Sequence, residues 1–161
     1  MNNVILNNEL TLQYPDGFHV LDEDEMSRIF PVNTPNRWAI MDLDRHLIIC
    51  VQWQKSSAIL ARFSSTKDHA KRVVAKARAA YREKECEIGD PYQTSVCGQE
   101  AWGVSFSYEV DGVKQLGKVI LFKRLSKKTH TTYTVYYYTR EESAEENEVI
   151  LHDALSSVEV I

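Results

Sequence analysis

Glycine and proline are scarce, six and four in 161 residues, so chain reversals are few and easy to place. Gly98 and Gly103 stand alone, and no glycine run leads into a Lys-Ser or Lys-Thr pair, which excludes a phosphate-binding loop. Cysteine is rarer still. Cys50, Cys86 and Cys97 form an odd, scattered set without zinc-ligand spacing, so neither a disulfide framework nor a thiolate metal centre is expected. The histidines, His19, His46, His69, His130 and His152, are equally dispersed, and no metal site is read from them. The longest apolar run is Leu47–Val51, far short of the roughly 20 residues a membrane-spanning helix needs. The opening Met1-Asn2-Asn3-Val4-Ile5-Leu6-Asn7-Asn8-Glu9 lacks a basic start and a small-residue cleavage site. No secretory leader is read there, and the cytoplasm is the expected compartment.

An overall excess of base is also absent. The net charge is -4, and its distribution is uneven. Residues 1–36 carry six acids and one base, residues 66–85 seven bases and three acids, and residues 141–161 seven acids and no base. The basic stretch reads as the solvated face of a helix, and a chain this acidic lacks the balance of a nucleic-acid binder.

What the sequence does contain is period. Leu10, Leu12 and Tyr14 alternate with polar residues as a half-buried strand, and Pro15-Asp16-Gly17 turns the chain. Asp22-Glu23-Asp24-Glu25 opens a short helix with Met26, Ile29 and Phe30 on one side, stopped by Pro31. Two strands follow, Arg37–Leu43 and His46–Gln54. In the second, Leu47, Ile49, Val51 and Trp53 face one way and Ile48 and Cys50 the other, so it is covered on both sides. Ser65 and Asp68 start the clearest helix, with Ala70, Val73, Val74, Ala77, Ala80 and Tyr81 in one arc and the basic residues outside it.

Beyond Gly89 and Pro91 the chain becomes a meander. Trp102, Val104, Phe106, Tyr108 and Val110 alternate with polar or small residues up to the hairpin turn Asp111-Gly112. Leu116–Leu125 and Thr131–Thr139 return around Ser126-Lys127-Lys128. The last strand sets Tyr133, Val135 and Tyr137 on one face and Tyr136 and Tyr138 on the other. Thr139 with Glu142 offers a second capping box, before a helix striped with Ala144, Ile150, Leu151, Ala154, Leu155 and Val158. The expectation is one α+β domain over residues 1–161, a mostly antiparallel sheet flanked by helices on both faces.

This order of elements resembles a known family. The strand ending in Tyr14-Pro15-Asp16-Gly17-Phe18, the central helix, the Gly98 strand leading into aromatic hairpins, and the tail Leu155-Ser156-Ser157-Val158-Glu159-Val160 together resemble the PsbP-like, Mog-type α/β/α sandwich superfamily. The resemblance implies a binding, assembly or chaperone-like protein without chemistry of its own, some bacterial members being adaptors for secreted effectors. It carries no site residue over to this chain, and no cofactor.

The residues agree in offering little chemistry. Gly103-Val104-Ser105 lacks the second glycine of a nucleophile elbow, and nothing in the sequence brings a base such as His46 or His130 to Cys97. A hydrolase using such a Cys or Ser is the rival reading, which a fast-labelling thiol would favour. Nucleic-acid binding through the helix of residues 66–85 is a third, requiring retention that falls steeply with salt. The leading expectation is a protein- or peptide-binding module, with a homodimer as one form it can take. Its candidate partner-binding residues are Arg37, Trp38, Trp53, Trp102, Tyr136 and Tyr138, the residue types that dominate interfaces.

Overall fold

The computed structural model describes residues 1–30, 34–57, 59–60, 63–80, 85–126 and 129–161. Two antiparallel sheets organise them. Strands β1 (Asn2–Leu6), β2 (Leu10–Tyr14) and β11 (Glu159–Val160) form a small sheet with β2 in the middle. The large sheet runs β3 (His19–Val20), β4 (Arg37–Asp42), β5 (Leu47–Ser57), β10 (Thr129–Arg140), β9 (Val113–Leu125), β8 (Gln99–Val110) and β6 (Cys86–Ile88), with β7 (Tyr92–Val96) also pairing with β8. Helices α1 (Glu23–Ile29), α2 (Thr66–Ala80) and α3 (Ala144–Ser156) complete the fold.

The alternation in the strands decides which layer covers which face. Ile40, Leu47, Ile49, Val51, Ile120, Phe122, Tyr133, Val135 and Tyr137 share the front face and pack with Leu10, Leu12, Leu151 and Val158. The small sheet and α3 therefore cover the front. Val104, Val119 and Leu121 lie on the back beneath Ala70 and Val74 of α2. Ala39 and Cys50 lie on the back beneath Met26 of α1. Helices flank the sheet on both faces, as the doubly apolar strands require. The expectation of one sheet is corrected here: Leu10–Tyr14 pairs with β1 and β11 in a second, smaller sheet, which packs on the front of the first.

The helix starts follow their caps. The Asp22 carboxylate accepts from the Glu25 amide and the Glu25 carboxylate from the Asp22 amide, a complete capping box. Ser65 accepts from the Asp68 amide at 3.0 Å. The expected box at Thr139 and Glu142 does not form. Thr139 stays in β10, buried, and a 3₁₀ turn over Glu141–Ser143 leads into α3 without a side-chain cap. The ladder hydrogen bonds of β10 outweigh the gain from one cap. Pro31, Tyr81 and Lys127-Lys128, read as a helix stop, a helix face and a turn, lie outside the described residues.

One polar cluster ties the two sheets together. Tyr133 donates to the Glu9 carboxylate at 2.8 Å and Thr131 at 3.2 Å. Burial raises the Glu9 pKa, but hydrogen bonds from Tyr133, Thr131 and Asn7 outweigh it and hold the carboxyl below its usual range. A depressed native pKa contributes stability that is complete above the unfolded-state value and is lost as pH falls through the native value. Tyr133→Phe is therefore expected to cost about 1 kcal/mol at pH 7. The difference from wild type should narrow at pH 3, as read by urea unfolding at both pH values. A difference independent of pH would refute the assignment.

Candidate functional site

The described residues cover the back face incompletely. Helix α1 is two turns long and sits over β4 and β5, whereas α2 packs over Val104, Val119 and Leu121. Among the described residues, nothing covers the sheet floor between them. Strand register defines that floor: Met41 lies opposite Ile48, Ile48 opposite Tyr138, Tyr138 opposite Gly117, and Gly117 opposite Phe106. Gly117 is the hinge of the arrangement. A Cβ there would lie 2.2 Å from the Phe106 ring, so the missing side chain is what lets that ring lie on the sheet. Phe106 and Tyr138 meet edge-on at 6.0 Å, and Tyr108 and Tyr136 stack on them at 6.0 and 6.5 Å. Phe30, the C-cap of α1, completes the array, 6.4 Å from Tyr138.

Above this floor lie two adjoining cavities of about 460 and 750 Å³, which share Tyr108, Val110 and Tyr138 as lining. Together they form an aromatic trough with Ile29 and Phe30 on one wall and Val73 and Ala77 on the other. The larger cavity has an acidic rim of Glu85, Glu109 and Asp111, none of which forms an ion pair among the described residues. At the smaller cavity the charges are satisfied internally, Asp42 by Arg45 and Arg140 by Glu142.

The six sequence-designated residues do not share one surface. Trp38 and Trp53 face the front core, Trp38 against the Tyr14 ring at 5.3 Å. Arg37 is buried on the back beneath α1, its guanidinium 3.4 Å from Glu23 and Ser27. Trp102 lies under the Lys67 ammonium and donates to Glu100. Tyr136 and Tyr138 alone line the trough. Phe106 and Tyr108 belong with them, and their alternation with Trp102 is the signal that could have found them. Gly117 had no such signal.

The trough contains no activated nucleophile among the described residues. Cys86 lines it half-buried, and burial raises its thiol pKa. Burial pushes the Cys50 thiol, beneath Tyr136, up to about 12, with Arg37 opposing. Exposed Cys97 sits on the β7–β8 turn, while His46 is at the opposite end of the sheet. The Ser105 side chain makes no hydrogen bond among the described residues, and no group of three His, Cys, Asp or Glu there could hold a metal. Such a site offers apolar contact, aromatic faces and negative charge at one end.

The architecture matches solved structures across nearly its whole length. LpqN of Mycobacterium tuberculosis, involved in cell envelope biogenesis, superposes with a TM-score of 0.64 over 94% of this chain and 82% of its own, at 14% identity. This chain has the PsbP-like fold. The cyanobacterial PsbP of Synechocystis superposes with a TM-score of 0.60 over 94% of this chain and 86% of its own, at 15% identity. The Ran-binding protein Mog1p of Saccharomyces cerevisiae gives 0.55 over 99% and 96%, at 15% identity. No family profile and no curated sequence matches the chain. PsbP-like architecture is thus shared at identities where only the backbone plan is common. Among the described residues, no helix is long and apolar enough to cross a membrane.

Proposed function

We propose that the chain is a non-enzymatic binding module that holds an apolar segment of a partner protein in the back-face trough, in an adaptor or chaperone-like role. The observation that carries this reading is the row of rings around Gly117, left uncovered by the described residues between α1 and α2. An uncovered aromatic groove of this size suits an amphipathic helix or a short extended segment. The rim acids, which form no ion pair among the described residues, favour a segment that also carries a Lys or Arg. The Ran-binding activity of Mog1p supports protein binding on this architecture. Three unpaired thiols suit the reducing interior of a cell.

Val110 supplies the test, because it lines both cavities and is 48% exposed, so changing it leaves the core intact. The tagged wild-type protein is expected to retain a stoichiometric protein from native lysate, and Val110→Asp to lose it at unchanged melting temperature. Retention of the same protein by both would sink the trough as the binding site. A wild-type homodimer that Val110→Asp converts to monomer would make a second copy the occupant.

A further inference from the structure

The end of the molecule opposite the acidic rim, where β5 runs out, β9 turns into β10 and α2 begins, has two properties the trough does not use. The first is exposed apolar surface. Ile59, Leu60 and Phe63, between β5 and α2, are 69, 65 and 86% exposed, and Leu125 at the end of β9 is 56% exposed. Register brings them together: Leu125 lies opposite His130, His130 opposite Ser56, and the Leu60 amide donates to the Ser57 hydroxyl. Four such side chains at one tip are more than scattered surface residues usually amount to.

The second property is a ring of cations. Lys123 donates to the Ser64 carbonyl and Arg72 to the Ser64 hydroxyl at 3.2 Å, directly beside Phe63. Lys67 and Lys71 are exposed on the first turns of α2. Lys55 and Arg124 flank the tip from the strands. None of these six forms an ion pair among the described residues. The nearby acids are Asp68, Glu9, held by Tyr133 and Thr131, and Glu100, held by Trp102 and Gln93. Positive charge therefore predominates.

Shape decides among the anionic surfaces that could meet this tip. Ile59 and Leu60 are helical, Phe63 lies in a turn and Leu125 at a strand end, and neither cavity of the back face includes them. A rigid partner would need a matching hollow for each, whereas a bilayer interface yields to whatever protrudes, and lysines around the insertion reach the headgroups. We propose that this end docks on an anionic lipid bilayer, with Leu60 and Phe63 entering the headgroup–acyl boundary and the surrounding Lys and Arg meeting headgroup phosphates. The basic face of α2 thereby acquires a partner, and the trough rim points away from the bilayer.

Sedimentation of the 161-residue chain with lipid vesicles tests this. The protein is expected to sediment with vesicles of phosphatidylcholine and phosphatidylserine, not with phosphatidylcholine alone, and to be released by salt. The double variant Leu60→Ser with Phe63→Ser should weaken binding about ten-fold at unchanged melting temperature, since both side chains are exposed. Lys71→Glu with Arg72→Glu should abolish it. Absence of phosphatidylserine-dependent sedimentation would overturn the proposal. So would full retention by the Leu60/Phe63 variant, because binding by charge alone is what an acidic protein or a nucleic acid would also show.

Discussion

Asn147→Ala is expected to lower the unfolding free energy by about 3 kcal/mol, and Asn147→Asp by more at pH 7 but not in mild acid. Asn147 is completely buried, one turn into α3. Its amide donates to the Arg45 carbonyl at 2.8 Å and to the Thr139 hydroxyl at 2.7 Å. These bonds fasten the helix to the β4–β5 turn and to the end of β10. Alanine leaves both acceptors without a donor and opens a void beneath the helix. Aspartate is worse. A carboxylate has no proton to offer, so it would face a carbonyl oxygen at hydrogen-bond distance without water. Its native pKa would rise well above the unfolded value of about 3.9. A group shifted in that direction destabilises the fold above its unfolded pKa, and the loss is relieved as falling pH protonates it. Urea unfolding at pH 7 and pH 5 should show the aspartate variant recovering while the alanine variant stays flat. At this chain length 3 kcal/mol corresponds to a fall in Tm of about 6 to 12 °C. A loss below about 0.5 kcal/mol, the ordinary effect of a surface substitution, would remove Asn147 from its structural role.

Gly117→Ala is expected to disable the trough while leaving the rest of the back face in place. Its new Cβ would meet three Phe106 ring atoms at 2.2 to 2.9 Å, closer than any real contact. The ring must rotate off the sheet, and in doing so it leaves Tyr108 and Tyr138 and moves into the space the partner would use. Overpacking of this kind costs about 1 to 3 kcal/mol. Partner retention should fall by at least as much as in Val110→Asp, because the floor itself changes. Phe106→Leu in the Gly117→Ala background makes room for the Cβ and should recover part of the stability, although each change alone is unfavourable. Such non-additivity is the mark of direct contact. Strictly additive losses would mean that the ring does not depend on the glycine.

Much of the fold was legible because the long strands alternate. Trp102 to Val110 and Tyr133 to Tyr138 announce both faces of the sheet, and the back-face rings follow from them. Helix α1 was legible from its acids and α2 from Ser65 and its apolar arc. The small sheet was not, since β11 is two residues long and finds its partner only through tertiary contact. Asn147 was missed because a polar residue on a helix reads as solvated surface. The trough was missed for a different reason: periodicity says that a face is apolar, but not how much of it the covering helices reach. That depends on α1 being two turns long and on α2 lying over β8 and β9. The designated cluster scattered because neighbours such as Arg37 and Trp38 point to opposite faces of one strand.

The small sheet also sets a clock on synthesis. Strand β2 is held on one side by β1, a turn away, and on the other by residues near the C-terminal end, with the Gln13 amide bonded to Ser157 across 144 positions. At about 5 to 20 residues per second, β2 leaves the ribosome about 7 to 30 s before those partners exist. For that interval Leu10, Leu12 and Tyr14 lack the later segments that complete their burial. The growing chain therefore passes through a sticky, half-clad stage whose length is fixed by translation speed.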